Sequence, residues 1–406
     1  MFCGLLTASL AAPDEEQLGR AQGYPIGTQA TWYSHEQVRV GSFTHQGEIK
    51  GLMNGNVHGL AASSSPMPLP RAAEEPAFTW QIDAARNLGI NDYLARQRVM
   101  GLLVVKDGVV QVERYQYERG PADRFVSHSM AKSLVSLAVG LALQEGQLNS
   151  LDDRADRYAA ALAGSMYGEA RLRDLLRMAS GVRFNENYDG SDNSDLVRFG
   201  RAAARDGLEA AARSIGERAA PAGQRFNYAS AETVVLAAVL RAATGMSLSE
   251  YLQPRLWQAM GAETSALWRT DRTGLESASG NFNATLRDYA RLGVILANDG
   301  QRPDTGAQIL PRDYLIEATD ASRQPIAFRP GMATPYYGYG YQFWTFPGRP
   351  RRFAMTGVYG QLIFVDPELK LVMVQTAATA TPTATGLARE ADALWRGLIG
   401  FYGGRW

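Results

Sequence analysis

Residues 129–146 read SMAKSLVSLAVGLALQEG, a serine and a lysine three positions apart at the head of an almost unbroken apolar run. Leu134, Val135, Leu137, Ala138, Val139, Leu141, Ala142 and Leu143 cover every side of a helical wheel. A helix with no polar face is a buried central helix, and Gly146 suits its C-terminal cap. Residues i and i+3 share a face, so Ser129 and Lys132 stand about 5–6 Å apart at Cβ. Serine is a weak nucleophile at its own pKa and needs an adjacent base. Lysine serves once burial or the positive end of the helix dipole lowers its pKa. The same helix N-terminus offers the backbone N–H of Ser129 to a developing oxyanion. Ser-x-x-Lys also arises by chance, and a lysine can extend its ammonium to solvent. A lysine on a helix without a polar face favours the catalytic reading.

Working outward, the spacing predicts a hairpin over 99–117, where Asp107-Gly108 separates two β-rich runs. Short helices are expected over 171–179 and 231–244. Ser247 and Glu250 form a capping box for the helix after them. A helix is expected over 285–298, strands over 361–365 and 369–375 around Asp366-Pro367, and a last helix over 386–402. Strands near both ends with helices between them predict an α/β (α+β) architecture, one antiparallel sheet flanked by helices plus a mostly helical domain. The expected division is an arm over 1–80, a sheet domain from 81–125 and 285–406, and a helical domain over 126–284. Ser63 to Pro70 (SSSPMPLP) reads as an extended linker.

Composition narrows the chemistry. The chain has 406 residues, with 41 Lys plus Arg against 41 Asp plus Glu. A net charge of zero argues against a nucleic-acid or anionic-membrane footprint. One cysteine, Cys3, excludes an internal disulfide and a cysteine-ligated zinc site. Four scattered histidines (His35, His45, His58, His128) show no zinc spacing, and no phosphate loop or flavin fingerprint occurs, so neither metal nor cofactor is expected. No stretch reaches the length of a membrane span. Phe2 to Ala12 is apolar but lacks a basic start; an exported protein is expected if it is a signal remnant, a cytoplasmic one otherwise. No GxSxG elbow is present. His128 adjoins Ser129, but neighbours on a helix do not face each other.

Two further segments complete a pattern: Phe226-Asn227-Tyr228-Ala229-Ser230 before a helix, and Met355-Thr356-Gly357-Val358-Tyr359-Gly360-Gln361 leading into the last hairpin. In order and spacing the chain resembles the serine β-lactamase and penicillin-binding-protein superfamily. That group carries Ser-x-x-Lys, then Tyr-x-Asn or Tyr-x-Ser, then a strand with Lys-Thr-Gly, His-Thr-Gly or a glycine-rich equivalent. RLRDLLRMASG (171–181), LNSLDD (148–153), NFNATLRD (281–288) and GQLIFVDP (360–367) extend the resemblance over about residues 95–400. It implies a β-lactamase/transpeptidase-like fold. It also implies Ser129 as acylated nucleophile, Lys132 as its base, Tyr228 as proton relay, and the N–H groups of Ser129 and Val358 as oxyanion hole.

The departures narrow the branch. Met355 stands where penicillin-handling enzymes place a cation for the substrate carboxylate, and Ser230 replaces an asparagine. The chain is closest to the 6-aminohexanoate-dimer hydrolase and esterase branch, whose Gly-Ile-His-Gly-Gln segment resembles Gly357 to Gln361. That branch implies Tyr188, in Phe184 to Asp189, as a group closing over the scissile bond, with Ser230, Gly357 and Tyr359 binding substrate. Asp192 and Asp195 are weaker candidates for a substrate ammonium. The aromatic run Tyr336 to Trp344 is expected to pack near the sheet or line the acyl pocket. The expected activity is hydrolysis of a small amide or ester through acyl-Ser129. The alternatives are a β-lactamase or D-Ala-D-Ala carboxypeptidase, and a non-catalytic peptide- or peptidoglycan-binding protein of the same fold. The sequence leaves the oligomeric state unassigned.

Overall fold

The computed structural model describes residues 12–188, 190–191 and 193–406. Cys3, Asp189 and Asp192, and nearly all of the N-terminal apolar run, lie outside the described residues. In chain order the first strands are β1 (Val57–Leu60), β2 (Trp80–Ile82), β3 (Ala85–Leu88), β4 (Val99–Lys106), β5 (Val109–Tyr115) and β6 (Arg124–Val126). They are followed by β7 (Ala266–Arg269), β8 (Phe282–Thr285), β9 (Gly338–Tyr339), β10 (Trp344–Thr345), β11 (Phe353–Gly357), β12 (Gln361–Asp366) and β13 (Leu371–Ala377).

The main sheet has the order β5-β4-β13-β12-β11-β10-β9, and its pairings are antiparallel. Asp107 and Gly108 both take positive φ (50° and 77°), the geometry a two-residue hairpin turn demands. Every residue of β12 and β13, and all of β4 except Lys106, is buried, because helices cover both faces of the sheet. Leu103, Val105, Ile363, Val372 and Val374 face the helix Leu286–Ala297. Leu102, Leu362, Phe364 and Met373 face the C-terminal helix Thr385–Phe401 through Ala391, Leu394, Trp395 and Leu398. The alternation of period two along each strand separates these two cores.

The apolar run 131–144 forms the helix Ala131–Gln144, buried from Ala131 through Ala142. It packs against a second apolar helix, Ser230–Thr244. Its internal hydroxyls are matched: Ser133 Oγ donates to the Gln342 carbonyl at 2.6 Å, and Ser136 Oγ meets Tyr314 Oη at 3.0 Å. The expected capping box is formed, with Glu250 N donating to Ser247 Oγ and Ser247 N to Glu250 Oε2.

A second sheet, β1-β7-β8-β6, was not anticipated. Its strands have three or four residues, too few for a readable alternation. It draws β1 from the segment expected to be an arm, and β7 and most of β8 from the segment expected to be mostly helical. The N-terminal segment is therefore integral to the core: Leu18, Tyr24, Val40 and Phe43 are buried in one cluster with Met130. Residues 63–70 carry no strand or helix, as a linker would, yet Met67 and Leu69 are buried. Two further helices, Asp195–Asp206 and Leu208–Arg213, occupy a stretch left unassigned by the sequence.

Candidate active site

β6 delivers the chain to the head of the helix Ala131–Gln144, where Ser127 N donates to the Phe282 carbonyl of β8 at 2.7 Å. His128 then takes φ 42°, a left-handed conformation that costs a non-glycine residue free energy and persists only when its surroundings enforce it. Its ring lies 4.7 Å from Phe43 and 6.2 Å from Trp32, with Tyr33 and Tyr359 also in contact. Burial, then the nearby Arg39 and Lys132 charges, push its pKa down to about 3, so the imidazole is neutral at physiological pH.

The sharp turn leaves Ser129 at the helix entrance, one turn below Lys132. Lys132 is 1% exposed. Its Nζ donates to Ser129 Oγ at 2.9 Å and to the Ser279 carbonyl at 3.0 Å. Burial pulls the ammonium pKa down to about 8, while the charge of Glu186 opposes the fall. Tyr228 stands before the helix Ser230–Thr244, its ring 4.9 Å from Lys132 Nζ and stacked on Trp344 at 5.5 Å. Burial and the Glu186 charge hold its phenol protonated far into alkaline pH, with a hydrogen bond to Ser129 acting in the other sense. Asn227 ties this segment down: its N–H donates to the Met178 carbonyl and its Nδ2 to the Phe184 carbonyl.

Glu186 is the member the sequence did not single out. Its carboxylate accepts from Tyr188 Oη at 2.7 Å, Ser230 N at 2.6 Å and Ser230 Oγ at 2.8 Å. A carboxylate between two asparagines in a polar loop reads as solvated, so only its place two residues before Tyr188 could have flagged it. The contacts also relocate Ser230. Its hydroxyl is committed to Glu186 and it does not line the cavity, contrary to a substrate-binding role. Tyr188 does line the cavity; burial, Glu186 and Tyr228 raise its phenol pKa well above the usual range. Asp195, at the start of the helix Asp195–Asp206, accepts from Asn185 N and pairs with Arg198 outside the cavity lining.

The opposite wall is the end of β11. A Cβ on Gly357 would lie 2.5 Å from the Ser127 carbonyl oxygen and 3.0 Å from Ser129 N, so only glycine lets the strand pack on the turn that carries Ser129. Val358 and Gly360 line the cavity beside it. Tyr359 turns away at φ 61°: its hydroxyl donates to the Tyr33 carbonyl at 3.1 Å, and the Arg39 guanidinium lies 4.4 Å over its ring. It is buried under the N-terminal segment rather than presented to a substrate, because that segment, read as an arm, packs as core. Met355 is 1% exposed, within the apolar core, while its neighbour Thr356 reaches the cavity.

Ser129, Tyr228, Tyr188 and Glu186 thus stand with Gly357 and Val358 around one cavity of about 580 Å³. Lys132 lies beneath Ser129. Among the described residues no group of three or more His, Cys, Asp or Glu is placed to hold a metal ion. No single described helix is long and apolar enough to cross a membrane.

The β-lactamase family model matches residues 90–394. The chain belongs to the β-lactamase family. It is a hydrolase of the serine β-lactamase superfamily. A 6-aminohexanoate-dimer hydrolase of Paenarthrobacter ureafaciens is 26% identical over 321 residues, 77% of this chain and 81% of that one. A Bacillus anthracis structure provisionally described as a 6-aminohexanoate-dimer hydrolase superposes with a TM-score of 0.81 at 24% identity, covering 93% of this chain and 98% of its own. A penicillin-binding-protein homologue from Caulobacter crescentus shares the fold at a TM-score of 0.56 and 15% identity, covering 75% of this chain and 93% of its own.

Proposed function

We propose that this family member hydrolyses small amides or esters through an acyl-Ser129 intermediate, in the manner of a 6-aminohexanoate-dimer hydrolase or carboxylesterase. The observation that carries the reading is the 2.9 Å contact between Ser129 Oγ and a Lys132 amine whose burial lowers its pKa to about 8. A base poised near neutral pH can take the serine proton without a metal or cofactor.

In the acylation step neutral Lys132 accepts the Ser129 proton as Oγ attacks the carbonyl carbon. The backbone N–H groups of Ser129 and Val358 receive the oxyanion. Collapse breaks the bond to the leaving group, which takes a proton from the Tyr228 phenol; the Lys132 ammonium returns one to Tyr228. Water then repeats the sequence on acyl-Ser129, releasing the acid and restoring the serine. Tyr188 stands over the leaving group and orients an amide nitrogen. The depressed pKa of His128 leaves it no part in proton transfer.

A carboxylate-directed substrate such as a penicillin is less well served, because the buried Met355 supplies no cation. Reaction with a fluorophosphonate tests the reading. Ser129 is expected to be labelled in the wild type and not in Lys132→Ala, while a folded protein that takes no label would be a binding module. A panel of p-nitrophenyl esters, linear amides and nitrocefin then ranks the bonds cleaved.

A further inference from the structure

The wall behind Val358 holds a cation that the proton transfers do not use. Arg39, at the start of the helix Arg39–Thr44, is 2% exposed. Its guanidinium donates to the Thr379 carbonyl at 2.6 Å, the Ala380 carbonyl at 3.2 Å and the Ser34 carbonyl at 3.4 Å, and its Nε has no acceptor. No described carboxylate forms an ion pair with it: Glu36, which acts on it through space, pairs with Arg98 at 3.2 Å instead. A guanidinium stays charged even when burial lowers its pKa, and neutral carbonyls offset only part of the cost of burying it. Arg269 is likewise buried on carbonyls alone, those of Gln46 and Ile49, but neither partner adjoins a cavity residue.

Arg39 differs because it backs the turn that carries Val358. Its guanidinium lies 4.4 Å over the ring of Tyr359, which stands between Val358 and Gly360, two cavity residues. The loop it holds at Thr379 and Ala380 continues to Pro382, which lines the cavity and whose carbonyl accepts from Tyr359 N at 2.9 Å. Its charge also reaches the opposite donor, since it helps to depress the pKa of His128, the residue before Ser129. The tetrahedral intermediate places a full negative charge between Ser129 N and Val358 N. A buried cation fixed in place stabilises charge that develops nearby, with no reorganisation at the moment of reaction.

We infer that Arg39 is a positioning residue for the oxyanion, its unpaired charge stabilising the tetrahedral intermediate from behind the Val358 turn. The inference rests on the proposed oxyanion hole of Ser129 and Val358. The hydrogen bonds to the Thr379 and Ala380 carbonyls could come from a neutral donor; the charge could not.

Two variants of the whole protein divide the charge from the hydrogen bonds. Arg39→Gln keeps an amide donor and loses the charge; Arg39→Lys keeps the charge and loses the fork. On a neutral p-nitrophenyl ester Arg39→Gln should lower kcat about tenfold with KM within about twofold, less than the ~10²–10³-fold of a direct oxyanion donor. Arg39→Lys should recover most of that loss. An arylboronic acid, whose adduct with Ser129 is a tetrahedral anion, should bind Arg39→Gln about tenfold more weakly and Arg39→Lys nearly as tightly as the wild type. Should Arg39→Gln fail to fold, Arg39→Lys decides alone. A buried, unpaired lysine loses its proton below the usual ~10.4, so its kcat should fall between about pH 8 and 10.5 while the wild type stays level. Equal losses in the two variants, unchanged boronate affinity in Arg39→Gln, or no alkaline fall in Arg39→Lys overturns the inference and leaves Arg39 a structural tie. A rise of kcat/KM displaced to higher pH in Arg39→Gln also overturns it, by placing the action on Lys132. If Ser129 takes a fluorophosphonate and one of these results is found, only the role of Arg39 falls. A folded wild type with neither label nor ester turnover removes the oxyanion hole as well.

Discussion

The two walls of the cavity are held in different ways. Ser129, Lys132 and Tyr228 sit on or just before two apolar helices, Ala131–Gln144 and Ser230–Thr244, and their geometry follows from helical spacing and one buried contact. The facing turn, Gly357 to Gln361, takes left-handed conformations at Tyr359 and Gly360 that no local pattern dictates. It is braced from the far end of the chain. Arg39 donates to the Thr379 carbonyl at 2.6 Å, 340 positions away, and Tyr359 Oη donates to the Tyr33 carbonyl, 326 positions away. Gln361 Nε2 completes the brace through the Tyr359 and Ala377 carbonyls. In the proposed mechanism proton transfer belongs to one wall, and the placement of Val358 depends on tertiary packing at the other. Substitutions in the first should alter which protonation states are active; substitutions in the second should alter the rate at every pH.

The largest effect is expected in the first wall. Ser129→Ala and Lys132→Ala should each lower kcat by roughly three decades or more with the fold intact by circular dichroism, because members of such a unit fail together. Retention of more than about a tenth of the activity in Lys132→Ala would assign the base elsewhere.

Next comes Gly357→Ala. Its methyl would press on the Ser127 carbonyl and Ser129 N, separating the two walls. Displacing an oxyanion donor costs about 10²–10³-fold in kcat. The pH dependence of the residual activity should match the wild type; a shifted profile would mean that the walls are not independent.

Tyr188→Phe removes a hydroxyl and keeps the ring. Amide turnover should fall about 10–100-fold and p-nitrophenyl ester turnover only slightly, since the Tyr188 oxygen, its proton held by Glu186, can accept from an amide N–H and an ester offers none. Equal losses on both substrates would reduce Tyr188 to a shaping role.

The smallest effect is a displacement of the pH profile. Glu186 raises the Lys132 pKa, so Glu186→Gln should move the alkaline rise of kcat/KM toward lower pH. The amide oxygen keeps the bonds from the Tyr188 and Ser230 hydroxyls, while the amide nitrogen cannot accept from Ser230 N, so circular dichroism of the variant accompanies the profile. A profile unmoved would mean that the carboxylate does not act on Lys132.

The same contrast explains what the sequence made legible. The buried helix, the Asp107-Gly108 hairpin and the capping box each follow from a few neighbouring residues, and each forms as expected. Ser129, Lys132 and Tyr228 come from ordered motifs on such elements, and the structure brings them together. The four-stranded sheet has strands too short for a period. The N-terminal segment packs through isolated aromatics and 3₁₀ turns that leave no repeat to read. Ser230 and Tyr359 were expected toward substrate because their motifs border the site. A neighbouring carboxylate turned one inward, and a left-handed φ turned the other under the N-terminal segment. Both depend on partners distant in sequence, Glu186 and Tyr33.

Activation of Ser129 by neutral Lys132 is tested most directly by the pH dependence of kcat/KM on a neutral ester. Burial lowers the Lys132 pKa to about 8, so below that pH the amine is protonated and has no lone pair to accept the serine proton. Activity should rise with pH, tenfold per unit on the acid side, and level off above an apparent pKa near 8. Activity that is already level between pH 6 and 9, or that follows a group titrating near 6.5, would contradict it.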